Sequence, residues 1–522
     1  MGMISTRTNM NAVATARNLG YAQEKVDSSM MKLSTGLRIN KAADDAAGLA
    51  ISEKLKSQIN GLNQASRNAK DAISLVQTAE GALGEIGNML QRVRTLALQS
   101  VNDVNTVNER SSMQKEVSQL QTEITRLANA SEFNGQKLLD GSFQSKRFQV
   151  GANSGQEISL SIGGVNSAGL GVNRINSATA AANISAAKAA VVSGTATAGG
   201  VTANNMTAQT LTVTGPNGTS PVALATAGAS ALKVAESVNL TSGKTAVTAK
   251  AETALKLSIT ASAAPVNISF KLAGDIAGGQ TNVANLTAAT TISAQVSSSD
   301  DLSSLAAAIN DKAATTGIQA RIGDTKGELI ITSDDGRDII IDNMQGTTGT
   351  VQGMTANTDK NLTVGPLVNA GTSVNVIQGN STRVGGFVKF ESAGGVNIST
   401  NSATTGSLLA AATNNSALFD VASINVGNID GASGAISILD ASIQQVNDLR
   451  ASLGAVQNRL GSTVANLESS SENLQFSNSR VRDADVAMES SELARAQVLM
   501  QAGVSVLAQA NQQPQMALKL LG

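Results

Sequence analysis

The chain predicts a multidomain α+β protein. Long coiled-coil helices, mainly α at both termini, pair antiparallel and carry a small β-hairpin, while a β-rich region is inserted between them. Three observations carry this expectation. An apolar residue falls at every seventh position through Leu439, Val446, Leu453, Leu460, Leu467, Leu474 and Val481. The same step runs through Leu55, Leu62, Ala69, Val76, Leu83, Leu90, Ala97 and Val104. Prolines avoid both stretches: Pro216, Pro221, Pro265 and Pro366 lie between 200 and 370, and Pro514 sits near the end. A strict seven-residue repeat holds one apolar seam against a partner helix over many turns. The two ends are therefore expected to meet, with Leu55, Leu62, Val76, Leu83 and Leu90 facing the 439–481 series.

The elements follow in order. A first helix runs from about Arg7 to Leu33, with Leu19, Val26 and Leu33 in register, and stops at Ser34-Thr35-Gly36, where Gly36 can take the left-handed closing conformation. Asp44 or Asp45 then caps a second helix over about 45–103, which at ~1.5 Å per residue extends ~90 Å. A third helix at 109–130 carries Met113, Val117, Leu120, Ile124 and Leu127 at alternating spacings of four and three. Phe133-Asn134-Gly135 is a turn signal, and Lys137–Asp140 with Lys146–Val150 read as short strands around Asp140-Gly141.

From 176 to 424 the chain is rich in small polar residues, and disorder competes with folding there. Apolar alternation favours strands at Leu211–Thr214, Leu255–Thr260, Val266–Leu272, Glu328–Thr332 and Ile339–Asp342, with a helix at Leu302–Ala314. Helical pattern resumes near Gly434 and continues to about Asn478. A last helix at about 484–511 is apolar on much of its circumference, through Val498, Leu499, Met500, Val504, Val506 and Leu507. That is too apolar for a helix facing water.

Composition excludes most chemistry. With no Cys and no His among 522 residues, a disulfide, a thiolate nucleophile, an imidazole base or a Cys/His zinc site is impossible. No cofactor and no enzymatic activity are expected. A net charge of −1 provides no field for nucleic acid. No run of about 18 apolar residues exists to insert in a membrane. The first residues carry Arg7, Arg17, Glu24 and Asp27 instead of the apolar core of a secretory signal. Asp334-Asp335-Gly336-Arg337-Asp338 resembles part of a calcium loop but lacks its ligand spacing and its closing Glu, and reads as a β-turn.

What remains is assembly. Segments 1–33 and 484–522 each show an apolar face, and one helix pair cannot cover both. Each exposed Leu, Val or Met that finds a partner gains ~1.5–3 kcal/mol. A head-to-tail contact that does not close propagates a helical filament.

Several long motifs then resemble the bacterial flagellins. They are Leu33-Ser34-Thr35-Gly36-Leu37-Arg38-Ile39-Asn40 with Asp44-Asp45-Ala46-Ala47-Gly48; Phe133-Asn134-Gly135, Lys137-Leu138-Leu139-Asp140-Gly141 and Phe148-Gln149-Val150-Gly151; and Ser479-Arg480, Asp483-Ala484-Asp485, Gln501-Ala502-Gly503 and Ser505 through Gln512. The resemblance covers about 1–175 and 425–522. Leu305–Gly317 with Glu328–Thr332 is also similar to a short hook/flagellin module centred on an Ile-Asn pair, here Ile309-Asn310.

The resemblance implies a secreted filament protomer of the extracellular flagellum, used for swimming. Residues 1–44 and 481–522 form the coiled-coil core, with contacts at Leu19, Val26, Leu33, Val498, Leu499, Val506 and Leu507. Residues 45–175 and 425–480 form a helical shell, and 176–424 face outward. Implied partners are other copies of the chain, filament cap and hook–filament junction proteins, and a flagellar type III export chaperone on about 484–522. A Toll-like innate receptor is a further implied partner, with Arg92, Leu96 and Glu123 on the matching positions; Thr95 departs from the acidic residue common in strongly recognised members. A hook–filament junction protein and a filament-displayed adhesin are the alternatives.

Overall fold

The computed structural model describes residues 9–102, 104–177, 191–192, 203–224, 226–259, 265–275, 289–323, 325–356, 367–401, 407–409 and 411–521. Its helices are α1 (Met10–Thr35), α2 (Ala46–Val101), α3 (Val107–Ala130), α4 (Ala231–Asn239), α5 (Ser242–Thr245), α6 (Ser303–Asn310), α7 (Ala313–Thr316), α8 (Ile429–Arg482) and α9 (Val486–Leu521). The chain divides into two compact units. One comprises Met1–Gln77, Ser145–Ser161 and Leu453–Gly522; the other comprises Thr78–Gln144 and Ile162–Ser452. Helices α2 and α8 contribute a segment to each.

In the first unit, the start of α2 and the end of α8 run antiparallel. Ser52 Oγ donates to Asn478 Oδ1 (2.7 Å), Ser471 Oγ to Asn63 Oδ1 (3.0 Å) and Lys70 Nζ to Glu468 Oε1 (2.8 Å). Between them Ala69, Ala72, Leu460 and Val464 are buried together with Val150 and Ile158. Those last two belong to a hairpin of strands Lys146–Gln149 and Glu157–Leu160, in which Phe148 faces Ile158. Sequence reasoning paired 146–150 with 137–140 instead. The chain turns away there because the Asp140 carboxylate accepts from both the N–H and the Oγ of Ser142. Leu138 and Leu139 are both buried, which a strand with one wet face forbids. Glu132–Phe133 pairs instead with Gln136–Lys137 across Asn134 and Gly135, whose φ values of 49° and 75° suit the tight turn an Asn-Gly pair makes.

Helix ends follow local chemistry. Gly36 closes α1 at φ 70°, and the Asp45 carboxylate caps the Gly48 N–H at 2.8 Å. Thr106 and Glu109 form a reciprocal capping box that starts α3 two residues earlier than expected. At the other end α9 continues past 511 to Leu521 with Pro514 inside it.

The second unit joins the rest of α2 and α8 to α3 and the β region. Leu83, Leu90, Leu439 and Val446 are fully buried; a Cβ on Gly87 would lie 3.9 Å from Val446. Arg94 pairs with Asp440 at 2.6 Å. Arg110 is buried, its guanidinium donating to the carbonyls of Ser100 and Asn102 at the end of α2. One antiparallel sheet orders strands Gln319–Ile322, Glu328–Ser333, Thr248–Ile259, Phe387–Ser392, Gly171–Asn176 and Ala417–Asp420. A second orders Thr290–Val296, Val266–Asp275, Asp338–Gln345, Asn380–Val384 and Val191–Val192; a third orders Thr413–Asn415, Asn397–Thr400, Gln209–Gly215 and Gly218–Leu224. Every strand expected between 176 and 424 is present, apart from Thr260, which lies outside the described residues. The helix expected over 302–314 is two, α6 and α7.

In the β region Arg383 Nη1 donates to Asp275 (2.8 Å) and to Asp338 (3.0 Å), and Asn204 Nδ2 also reaches Asp338 (2.9 Å). Loss of water pushes the Asp338 carboxyl up to about 7 from its ordinary 3.8, against the pull of Arg383. A carboxyl held more tightly protonated in the fold adds stability below 3.8, and that contribution disappears as pH rises through about 7. The β region is therefore expected to melt lower at pH 8 than at pH 5, by roughly 4 °C or more, and Asp338→Asn to flatten the difference; circular dichroism melts check both. In the first unit, Leu460→Asp puts a carboxylate into a closed helix seam and is expected to lower monomer stability by about 3 kcal/mol or more. An unchanged urea midpoint in the unassembled chain contradicts that.

Candidate assembly interface

Helices α1 and α9 form an antiparallel pair. Asn9 Nδ2 donates to the Ala510 carbonyl (2.7 Å) at one end, and Ser29 Oγ to Glu489 Oε1 (2.8 Å) at the other. On α1 the sheltered positions are Ala12, Thr15, Leu19, Ala22, Val26, Ser29 and Leu33; on α9 they are Glu489, Leu493, Ala496, Met500, Gly503, Leu507 and Ala510. Both series alternate steps of three and four, the signature of a coiled-coil seam. Small residues bring the backbones close: a Cβ on Gly503 would sit 3.4 Å from the Leu19 side chain.

One charge lies in this seam. Glu489 is buried, accepts from Ser29 and pairs with Lys32 Nζ at 3.4 Å. A buried carboxylate held by a hydroxyl and a cation fixes the register of two otherwise slippery apolar stripes. Sequence reasoning did not single out Ser29 or Glu489, although the signal was present as polar residues on the seven-residue repeat. The α9 start is capped by Asp485, whose carboxylate accepts the N–H groups of Ala487 and Met488.

The two connections beside this pair are tied together. Arg38 N–H donates to the Arg482 carbonyl (2.7 Å) and Ala484 N–H to the Gly36 carbonyl (2.9 Å), while the Arg38 guanidinium reaches the Val481 carbonyl. Asp44 accepts the N–H groups of Asn40 and Lys41, and those backbone bonds hold its carboxyl below the ordinary value.

The outer faces are bare. Met10, Val13, Tyr21, Met30 and Met31 on α1, and Val486, Met488, Val498, Leu499, Val504 and Val506 on α9, are exposed large apolar side chains. A groove of about 360 Å³ between Tyr21 and Leu499 is lined also by Asn18, Leu19, Ala22, Lys25 and Gly503. The seven expected core contacts thus divide: Leu19, Val26, Leu33 and Leu507 lie in the seam, and Val498, Leu499 and Val506 project outward at 65%, 55% and 52% exposure. Of the α2–α8 seam series, Val76, Leu83, Leu90, Leu439, Val446, Leu453, Leu460 and Leu467 are buried, and Leu55, Leu62, Leu474 and Val481 are half-buried.

Arg92 is exposed and paired with Glu116 (2.7 Å); Glu123 pairs with Arg126, whose hydrogen bond holds the Glu123 carboxyl below its ordinary value. Leu96 lies in the second unit's core at 2% exposure. Among the described residues no group of His, Cys, Asp and Glu is arranged to hold a metal ion, and no helix is long and apolar enough to cross a membrane.

Relatives match the whole chain. It fits the family models for the bacterial flagellin N-terminal helical region over residues 6–144 and the C-terminal helical region over 436–521. It is 37% identical to the B-type flagellin of Pseudomonas aeruginosa over 99% of each chain. The chain belongs to the flagellin family. It is also 33% identical to Flagellin B of Vibrio cholerae, over 99% of this chain and 100% of that one. The flagellin hook IN motif matches residues 277–335, around the expected Ile309-Asn310 pair. Among solved structures, FliC from Burkholderia pseudomallei is similar over 74% of this chain and 99% of that one, at 17% identity and a TM-score of 0.28. As a flagellin the chain is a structural protein, a subunit that polymerises into the extracellular bacterial flagellar filament.

The Ser29–Glu489–Lys32 cluster generates a prediction about register. Glu489→Leu is expected to preserve α1–α9 helicity while permitting the helices to slide, whereas Ser29→Ala leaves a buried carboxylate short of a donor and costs about 1–3 kcal/mol. The disulfide yield between cysteines introduced at Leu19 and Gly503 reads the slide: an undiminished yield in Glu489→Leu contradicts it.

Proposed function

We propose that the α1–α9 pair, residues 1–44 with 481–522, is the part of this flagellin that packs with other copies at the filament core. Residues 45–175 and 425–480 then form the surrounding shell, and 176–424 face outward. The observation that carries this reading is the bare apolar face just described. Burying each of those side chains against a neighbour contributes ~1.5–3 kcal/mol, and no other surface described has so many. Val498, Leu499 and Val506 make contacts between copies. Leu19, Val26, Leu33 and Leu507 act one step earlier, by holding the pair in the shape that presents them.

The same face supports a dedicated export chaperone on about 484–522, since helices with bare Val, Leu and Met on this scale aggregate at high concentration. Export through the flagellar type III apparatus and contacts with the filament cap and hook–filament junction proteins complete the reading. For a Toll-like innate receptor, the exposed Arg92 and Glu123 supply reachable charges, whereas Leu96, expected as a third contact, is buried and out of reach.

Truncation before Ala484 is expected to abolish polymerisation seeded by ammonium sulfate while the α2–α8 pairing keeps its helical dichroism. Val498→Asp with Leu499→Asp is expected to do the same in the full chain. Electron microscopy of seeded solutions checks both, and filaments of normal length from either variant refute the assignment of the core.

A further inference from the structure

The IN-type module closes through one side chain. Asn310, the last residue of α6, donates Nδ2–H to the Ala320 carbonyl (2.8 Å) and accepts the Ala320 N–H at Oδ1 (2.7 Å), ten residues along the chain. Between them Thr316 Oγ1 donates to the Lys312 carbonyl and accepts the Ile318 N–H. Gly317 takes the left-handed conformation at φ 67°, and its carbonyl accepts from Ser333 Oγ (3.0 Å). Leu305, Ala306, Ile309 and Ile318 are buried beneath.

Every one of these features recurs at α4. Asn239, again the last helical residue, donates to the Ala249 carbonyl (2.9 Å) and accepts the Ala249 N–H (2.7 Å), again ten residues along. Thr245 Oγ1 donates to the Thr241 carbonyl and accepts the Val247 N–H. Ala246 stands in the left-handed position at φ 55°, and its carbonyl accepts from Ser392 Oγ (2.7 Å). Val234, Ala235, Val238 and Val247 are the buried set. Strand pairings correspond as well. Ala251 faces Val388 as Ile322 faces Leu329, and Val213 faces Ile398 as Gly274 faces Ile339.

We propose that the hairpin Gln209–Leu224, helices α4 and α5, residues 248–251 and strands Phe387–Ser392 and Asn397–Thr400 are a second copy of this module, split open to admit the first. The family match over 277–335 covers the inner copy alone. Three differences hide the outer one from sequence. Its helix ends in Val238-Asn239, its left-handed position holds Ala246 where glycine is the usual occupant, and its closing strand lies beyond the whole inner copy. In the inner copy the same gap, from Ile322 to Leu329, is bridged by Gly323–Glu328. The outer copy is therefore a host, and the interval after Ala251 and before Val388 is a cassette site where a displayed domain is accommodated. Host and guest share the strand Thr248–Ile259, whose first residues pair with 387–391 and whose remainder pairs with Glu328–Ser333 and Gly349–Met354.

Two experiments, the first on the full chain, test this, and neither depends on the filament reading. In Asn239→Ala, hydrogen exchange of the Ala249 amide is expected to accelerate at least ten-fold with that of Ala320 unchanged; Asn310→Ala is expected to give the mirror result. An Ala249 amide that stays protected in Asn239→Ala overturns the equivalence. Replacing residues 252–387 by the Gly323–Glu328 sequence is expected to leave 203–224, 226–251 and 388–401 resistant to limited proteolysis. Cleavage through those segments at the rate of urea-unfolded chain overturns the host module.

Discussion

The seam between the chain's beginning and its end is the constraint from which the rest follows. In the second unit Leu83, Leu90, Leu439 and Val446 are all buried; in the first, Ala69 and Ala72 share a core with Leu460 and Val464. Helices drawn from opposite ends of the sequence close a loop of several hundred residues. Loop-closure entropy rises only with the logarithm of loop length, so a long inserted region adds little cost once the seam is apolar and continuous. That is why 176–424 can hold a whole β architecture without its own heptads.

The α1–α9 pair obeys the same rule with less material. Its seam uses Ala12, Thr15, Ala22, Ser29, Ala496, Gly503 and Ala510, where the α2–α8 pair uses mostly Leu and Val. Small seam residues bury little area, so the pair gains modestly from closing. Large apolar residues are placed instead on the outside, at Met10, Tyr21, Met31, Val498, Leu499 and Val506. Such a distribution is poor for a lone molecule and good for one that completes its burial against copies of itself. Glu489, held by Ser29 and Lys32, then supplies the registry that a seam half made of small residues lacks.

Much of this was legible in the residues. The heptads placed the α2–α8 pair, Gly36 and the Asp44-Asp45 pair placed two boundaries, and period-two alternation placed five strands of the β region. What escaped depends on distance or on competing local chemistry. The hairpin 146–160 was misassigned because Asp140-Gly141 looks like a strand turn, whereas the Asp140 carboxylate binds Ser142 and bends the chain elsewhere. Whether an apolar residue on α9 faces α1 or faces outward is not written in its own hydropathy; Leu507 and Val506 are adjacent and differ only in phase. Leu96 likewise sits on the inner side of a helix whose preceding turn presents Arg92 to solvent.

The β region shows why duplication is hard to read from sequence and plain in hydrogen bonds. Side-chain amides that clasp a backbone N–H and C=O at once are satisfied only by one geometry, so Asn239 and Asn310 report the same turn despite different neighbours. Apolar positions around them tolerate Val for Leu or Ile with small losses, and identity fades there first. Even the left-handed position differs, Gly317 in one and Ala246 in the other, a difference that costs roughly 1 kcal/mol and that a packed module of this size tolerates. Geometry outlasts identity here because the clasp admits no substitute, while the core around it admits several.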